Sequence, residues 1–518
     1  MSEIMRFNRE ATVEQDKVIA FLSDPASYGI TEPVERHETH GAIVFLAGDC
    51  AYKLKRAVRF PYMDYSTPER RRVACTAELA VNRRMAPSLY LGVRSIRGAN
   101  GRLCFGEADD PQAQDWVVVM KRFPQSALLE QMRRKGNLTD AIMRKLADII
   151  AVFHTHAEAT RTFGGVAGIA EVVDGNISVL TSFRHKPFAE EKIAAYAAAS
   201  HAALKTMAAR LDARRGAGFV RHCHGDLHLN NVCMLEDEPV LFDAIEFNEA
   251  FSHIDVFYDL AFLLMDLEHG GERRFANVVL NRYLERTGDV GGLALLPLFL
   301  SCRAAVRAHV KAAQAKGDEN IEKEALSYLE DAIRFLEPGP PQLIVLGGVS
   351  GTGKSTLGRA LAPMIGATPG AVMLRSDVLR KSLWGVSDEV PLPEAAYTAD
   401  VTRKVYDVLR SRAEEILADG HSVIADAVYG TIAERKGIVD MANRMGVSFH
   451  PIWLDAPMAI LEHRVAARRN DASDATVAVL HRQRGAVVPP TDWINVDAGG
   501  TLEDTVQRTC AALGMEGV

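Results

Sequence analysis

"QLIVLGGVSGTGKSTLGRAL", Gln342 to Leu361, changes its periodicity half-way along. Its first residues are an apolar run closed by glycines, suited to a strand buried on both faces of a parallel sheet. Its last residues are patterned as a helix, and between the two stands Gly348-x-x-x-x-Gly353-Lys354-Ser355. Strand, glycine-rich loop, lysine, hydroxyl and helix in that order predict an α/β domain with an anion cradle at a helix N-terminus. The loop from Gly348 to Thr356, with Gly351, Thr352 and Gly353 inside it, is expected to hold a triphosphate. Its glycines let successive N–H groups turn inward. Lys354 reaches the β- and γ-phosphates, and the Ser355 hydroxyl can hold Mg²⁺.

Downstream, "AVMLRSDVLRK" is a second apolar strand ending in Ser376-Asp377, with Arg380 one turn later. A carboxylate at the carboxyl end of such a strand can accept a hydroxyl proton. "HSVIADAVYG" is a third strand, ending in Asp426, a candidate for Mg²⁺-bound water or for the acceptor; "PIWLDAP" is a fourth. In "ILEHRVAARRNDASDA" Arg464 and Arg468 stand four apart on one helical face, as a lid needs for clamping a phosphoryl group; Arg469 is an alternative to Arg468. Residues 342–515 resemble the P-loop small-molecule kinases, the group of gluconate kinase, chloramphenicol phosphotransferase, zeta toxins and the polynucleotide kinase domain. The resemblance implies Asp377 as general base and Arg464 and Arg468 as lid arginines. Asp426 is followed by alanine rather than by a second acidic residue, which argues against a motor-type ATPase.

Upstream, Glu337-Pro338-Gly339-Pro340-Pro341 cannot continue a helix and marks a seam. It predicts one domain over 1–338 and a second over 339–518. Within the first, residues to about 122 carry strand-like runs around one helical stretch, and 123–338 are mostly helical. "AIMRKLADIIAVFHTHA" places Ile142, Leu146, Ile149, Ile150 and Phe153 on one stripe.

The helical part contains "HCHGDLHLNNV", His222 to Val232. Its histidines and cysteine suggest a metal cluster, yet no matching pair stands elsewhere at zinc spacing. Asp226 and Asn231 instead have the spacing of the catalytic loop of protein-kinase-like folds, where the aspartate is the base and the asparagine binds Mg²⁺. That reading asks for a second metal aspartate, and "PVLFDAIEF" supplies Asp243. It asks for a strand lysine and a helix glutamate. "CAYKLKR" offers Lys53, or Lys55 on the same side, and "CTAELAVNRR" offers Glu78. "WVVVMKRF" leads into a hinge where Met120 to Phe123 can present backbone to adenine. Residues 1–338 resemble the aminoglycoside phosphotransferase/choline kinase branch of that fold, with Asp259 in the position of its buried supporting aspartate. No Gly-x-Gly-x-x-Gly precedes the lysine strand, so phosphate cover must come from other backbone or from side chains near Thr39–Ala42.

The fold expected is thus an α+β bilobal kinase-like domain followed by an α/β P-loop domain. A chain of 518 residues exceeds one hydrophobic core. A net charge of −7 gives no basic footprint for nucleic acid, and no apolar run stands out as membrane-spanning. Seven irregularly spaced cysteines point to reduced thiols and the cytoplasm. The leading expectation is a bifunctional enzyme that uses ATP and Mg²⁺ to phosphorylate small hydroxylated molecules. Two readings stand beside it: a nucleotide or nucleic-acid 5′-hydroxyl kinase, less favoured by the acidic balance, and one kinase regulated by an ATP-sensing second module.

Overall fold

The structure is a computed structural model describing residues 15–60, 63–99, 101–468 and 471–515. Arg469 lies outside the described residues. By contact density the chain divides into two compact units, 1–170 with 208–263 and 171–207 with 264–518.

The first unit contains a six-stranded antiparallel sheet in the order Glu35–Glu38, Ala42–Ala47, Cys50–Lys55, Ala113–Lys121, Tyr90–Ala99, Arg102–Gly106. Ile43, Phe45, Leu54, Ile96, Val117 and Val119 pack with Val18 and Leu22 on one side. On the other, Cys75 of the helix Pro68–Asn82 packs with Leu89, Tyr90, Trp116 and Val118. Thr67 caps that helix by accepting the Arg70 N–H. The strand Cys50–Lys55 pairs on both edges, Lys53 opposite Val44 and Val118. Its period of two sends Lys53 and Lys55 to the same face.

The helix Asp140–His156 forms as its periodicity predicts, but its buried stripe is Met143, Leu146, Ala147, Ile150, Ala151 and His154. Ile142, Ile149 and Phe153 are half-buried. The stripe is rotated because His154 turns inward to hydrogen-bond the fully buried Asp259.

The second unit contains a five-stranded parallel sheet in the order Val372–Arg375, Val423–Asp426, Gln342–Gly347, Ser448–Asp455, Ile494–Asp497. Ile344, Leu346, Leu357, Leu361, Ile424, Ile452 and Leu454 build its core. The fold class matches the sequence reading, kinase-like mixed sheet and helices followed by a P-loop α/β sheet. Ile494–Asp497 is a fifth strand that the pattern did not disclose.

The stretch Val290–Ala315 is long and apolar enough to cross a membrane, against the sequence reading, but 72% of its apolar window is buried inside the protein. Such a stretch is a core helix as readily as a membrane span.

Residues 264–338 belong to the unit of the P-loop sheet. Helix Arg273–Thr287 lies along the edge strand: Asn281 Oδ1 accepts the Met373 N–H at 2.7 Å, and Asn277 Nδ2 donates to Ala371 O at 3.1 Å. Arg273 donates to Pro363 O at 2.5 Å and Gly366 O at 2.9 Å. His421, 1% exposed, donates from Nε2 to Leu293 O at 2.9 Å. Burial lowers its pKa to about 4, only partly opposed by the Leu293 carbonyl. A histidine whose folded pKa is depressed contributes its full stability above the unfolded value near 6.5, and loses it as pH falls toward 4. Going from pH 7 to pH 5 should therefore cost this unit about 2 kcal/mol. His421→Gln should flatten that part of the pH profile in thermal melts; an equally steep profile in the variant would reject the assignment.

Candidate active sites

Two backbone bonds and one from a histidine ring zip the two loops of the first candidate site together. Phe242 N–H donates to Asn231 O at 3.0 Å, Ile245 N–H to His224 O at 3.0 Å, and His224 Nε2 to Phe242 O at 2.9 Å. Asp259 holds the start of the loop, accepting the N–H of His224 at 3.1 Å and of Gly225 at 2.8 Å. Gly225 has φ +84°, and a Cβ there would meet Phe251 O at 2.7 Å, so the turn needs glycine.

Asn231 donates from Nδ2 to both Asp226 O and Asp226 Oδ2 at 2.9 Å. His228 accepts the Asn230 N–H on Nδ1, which places the proton on Nε2, 3.4 Å from Asp226 Oδ2. On the facing strand, Lys53 Nζ is 2.8 Å from Glu78 Oε1 and also contacts Asp243 Oδ1. Burial alone would raise the Glu78 carboxyl pKa, but Lys53 and Lys55 outweigh it and hold it well below the usual range. Asn82 ties the glutamate helix to the Asp243 loop by accepting the Ala244 N–H at 2.9 Å.

Burial sorts these groups. Glu78 is 0% exposed, whereas the carboxylates of Asp226 and Asp243 are 37% and 41% exposed. Holding groups are sealed; the carboxylates that would meet a cation or an acceptor are open. Asn231 and Asp243 offer hard oxygen donors, the chemistry Mg²⁺ prefers. The turn Thr39–Ala42 is closed by hydrogen bonds, with Thr39 N–H donating to Ala42 O at 2.9 Å and Arg56 Nη1 to Thr39 O at 2.9 Å. Burial and Arg56 lower the His40 pKa, and Asp226 opposes them. Met120 pairs with Ala51 and Tyr90 inside the sheet, and the N–H groups of Lys121 and Arg122 go to Leu89 O and Asp49 O.

The histidine-rich stretch does not converge on a metal. His222 stacks on His253 at 4.5 Å, Cys223 donates to Ile254 O, and His224 and His228 have the partners above. His154, Cys223 and Asp259 lie close enough to share an ion. The Asp259 oxygens, however, already accept two backbone N–H groups, and His154 is bonded to one of them.

In the second candidate site Gly348, Gly351 and Gly353 have φ of +141°, +88° and +87°. A Cβ on Gly348 would meet Leu454 O at 2.6 Å. Gly353 caps the helix Lys354–Leu361. Lys354 Nζ donates to Gly348 O at 2.7 Å and Val349 O at 3.1 Å, folding it back over the loop. Burial lowers its pKa. Ser355 Oγ donates to Asp426 Oδ2 at 2.5 Å, so a hydroxyl and a carboxylate suited to Mg²⁺ stand side by side.

Asp377 lies in the first turn of the helix Ser376–Leu383, two residues past the end of its strand. Burial and the charge of Asp426 raise its pKa, against a Ser473 hydrogen bond and the cations Arg375 and Lys354. Thr352, Thr356, Asp377, Asp426, Arg464 and Arg468 all line one cavity of about 1360 Å³. Arg464 donates to Ala498 O at 2.8 Å and Gly500 O at 3.0 Å, while Arg468 closes the helix Met458–Ala467.

Two groups escaped the sequence reading. Arg375, 6% exposed, joins Asp471 at 3.1 Å and approaches Asp426 at 3.8 Å. Its signal is a charge at the end of an otherwise apolar strand. Glu246, three residues after Asp243, contacts Lys55 and accepts the Tyr65 hydroxyl at 2.6 Å.

The profile of the phosphotransferase enzyme family matches residues 54–296, and that of an AAA domain matches residues 343–490. The chain joins a phosphotransferase-family domain to a P-loop kinase domain. Both are kinase-type, so the chain is of phosphotransferase character. An uncharacterized protein of Mycobacterium tuberculosis is 29% identical over 488 residues, covering 91% of this chain and 94% of that relative. One of Mycobacterium bovis aligns with the same figures, 29% over 488 residues. Among solved structures, a gluconokinase from Sinorhizobium meliloti is 23% identical, with TM-score 0.26, over 34% of this chain and 92% of its own. A choline/ethanolamine kinase family protein from Mesorhizobium loti is 13% identical, with TM-score 0.39, over 62% of this chain and 95% of its own.

Proposed function

We propose that the chain is a bifunctional ATP-dependent kinase that phosphorylates hydroxyl groups of small molecules at two separate sites. In the phosphotransferase domain Asp226 orients and deprotonates the acceptor, Lys53 anchors phosphate, and Glu78 holds Lys53. Asn231 and Asp243 would hold Mg²⁺, which neutralises phosphate charge when bound. In the P-loop domain the Gly348–Thr356 loop cradles the triphosphate and Ser355 and Asp426 would hold Mg²⁺. Asp377 takes the acceptor proton there, with Arg464 and Arg468 as lid cations. The observation that carries the reading is the pairing at each site: Lys53 is held by Glu78 and contacts Asp243 while Asn231 holds Asp226, and Lys354 and Asp377 line one cavity. In such chemistry positioning and charge neutralisation supply most of the rate. The modules are taken as 1–338 and 339–518, and seven free cysteines support a cytoplasmic location.

The test is an ATP-consumption screen over sugars, amino alcohols, antibiotics, nucleosides and 5′-hydroxyl oligonucleotides. Each hit is assigned by repeating it with Asp226→Ala and with Lys354→Ala. Turnover lost in one variant and kept in the other supports two sites. Turnover only with oligonucleotides moves the acceptor to nucleic acid. Tight ATP binding with no transfer in one half makes that half a sensor.

The raised Asp377 pKa gives a further expectation. A general base works ionised, so P-loop transfer should climb with pH through a carboxyl pKa displaced upward from its ordinary value. Asp377→Asn should lower the rate about a hundredfold or more. An Asp377→Asn enzyme with wild-type turnover would remove this residue from the role.

A further inference from the structure

Glu78 holds two lysines. Its Oε1 is 2.8 Å from Lys53 Nζ and its Oε2 is 2.5 Å from Lys55 Nζ. Each lysine then meets a second carboxylate, Lys53 that of Asp243 and Lys55 that of Glu246. The five charges form an alternating chain, Asp243, Lys53, Glu78, Lys55, Glu246. The two ends differ in solvent access. Asp243 is 41% exposed and Lys53 is 11% exposed, whereas the side chains of Lys55 and Glu246 are 3% and 4% exposed. Lys55 is closed in by Glu78, Glu246 and the Tyr65 ring at 5.2 Å, and its carbonyl accepts Gln15 Nε2 at 3.0 Å. It cannot turn to a ligand. Lys53, at the open end, can.

We propose that Lys55 and Glu246 are positioning residues that keep Glu78, and with it the helix Pro68–Asn82, engaged when Lys53 is drawn onto nucleotide phosphate. This rests on the assignment of Lys53 as the phosphate anchor. A phosphate that shares Lys53 with Glu78 takes up part of the positive charge around a fully buried carboxylate. A buried carboxylate without a cation is strongly disfavoured, and the remedies are protonation or withdrawal of the helix. Lys55 supplies a second cation that does not leave, and Glu246 keeps Lys55 neutralised while fastening the segment after Asp243 to the same strand. The glutamate therefore does not depend on the ligand-facing lysine, and the order Lys53-x-Lys55 has one outward and one inward role.

The test uses the full chain carrying Lys354→Ala, which confines nucleotide binding to the phosphotransferase domain. Lys55→Met/Glu246→Gln removes the inner pair together, so neither partner is stranded. Expected are a nucleotide-free melting temperature close to that of the parent and Mg-ATP affinity at least tenfold weaker. Hydrogen exchange in residues 68–82 should be unchanged without nucleotide and faster at saturating Mg-ATP. Unchanged affinity, or loosening of that helix equally with and without nucleotide, would overturn the positioning role. If the pair variant does not fold, Glu246→Gln alone is measured the same way, with the same two outcomes. A parent that binds no Mg-ATP at all would instead reject the reading of the whole site, so the two failures are distinct.

Discussion

Asp226→Ala should abolish transfer at the phosphotransferase site, with a loss of about a thousandfold in kcat and little change in Mg-ATP affinity. The expectation follows from how the carboxylate is held. Asp226 Oδ2 accepts from Asn231 and faces the Nε2 of His228, both anchored by the short turn Leu229–Asn231. The side chain is 37% exposed, so it is fixed in direction while open to an acceptor. The groups proposed to meet the phosphates, Lys53 and the Thr39–Ala42 turn, stand on the other lobe and keep their own partners. Alanine at 226 therefore removes the proton acceptor without dismantling the nucleotide side. Measured in the Lys354→Ala background, substantial transfer by the Asp226→Ala protein would show that another group deprotonates the acceptor. A parallel collapse of Mg-ATP affinity would show that Asp226 acts on the nucleotide instead.

The legible parts of the molecule are those written locally. The P-loop needs one strand, one turn and one helix in sequence, and three glycines with positive φ stand where the motif puts them. Asp226 and Asn231 were grouped by their five-residue spacing, and the structure joins them by a hydrogen bond. Lys53, Glu78 and Asp243 were grouped by chain order, and the structure gathers them around one ammonium group. What was not legible depends on partners distant in sequence. Lys53 and Lys55 share one strand face and one carboxylate; only Glu246, nearly two hundred positions away, distinguishes the inner from the outer. The stripe of helix Asp140–His156 was misplaced because a histidine counted as polar turns inward to Asp259. Arg375 is buried by Asp471 and Asp426, which no local pattern announces. Ile494–Asp497 is four residues long with one buried side chain, too short for its period to speak.

The linker at Glu337–Pro341 looks like a place where the chain can be cut, and its residues 337–340 are exposed. Cutting there through an engineered protease site should leave the two pieces bound to each other, and residues 339–518 made alone should be insoluble or only partly folded. Val372–Arg375 is an edge strand, with Val372 and Leu374 only 2% and 5% exposed. Along this edge the Met373 N–H and the Ala371 carbonyl are taken by Asn281 and Asn277 of the helix Arg273–Thr287, on the far side of the cut. Arg273 holds the turn at Pro363–Thr368, Arg282 reaches Asp388 at 2.9 Å beyond the Asp377 helix, and His421 reaches Leu293 O. Each such bond contributes about 1 kcal/mol net, and the apolar faces around them add more, against a domain stability of about 5–15 kcal/mol. Without that helix the strand also presents an apolar, unpaired edge, the usual starting point of aggregation. Size-exclusion chromatography after cleavage reads the result directly. Clean separation into two species, with a soluble 339–518 fragment that binds Mg-ATP as the full chain does, would show that the P-loop sheet needs nothing from the other side of the linker.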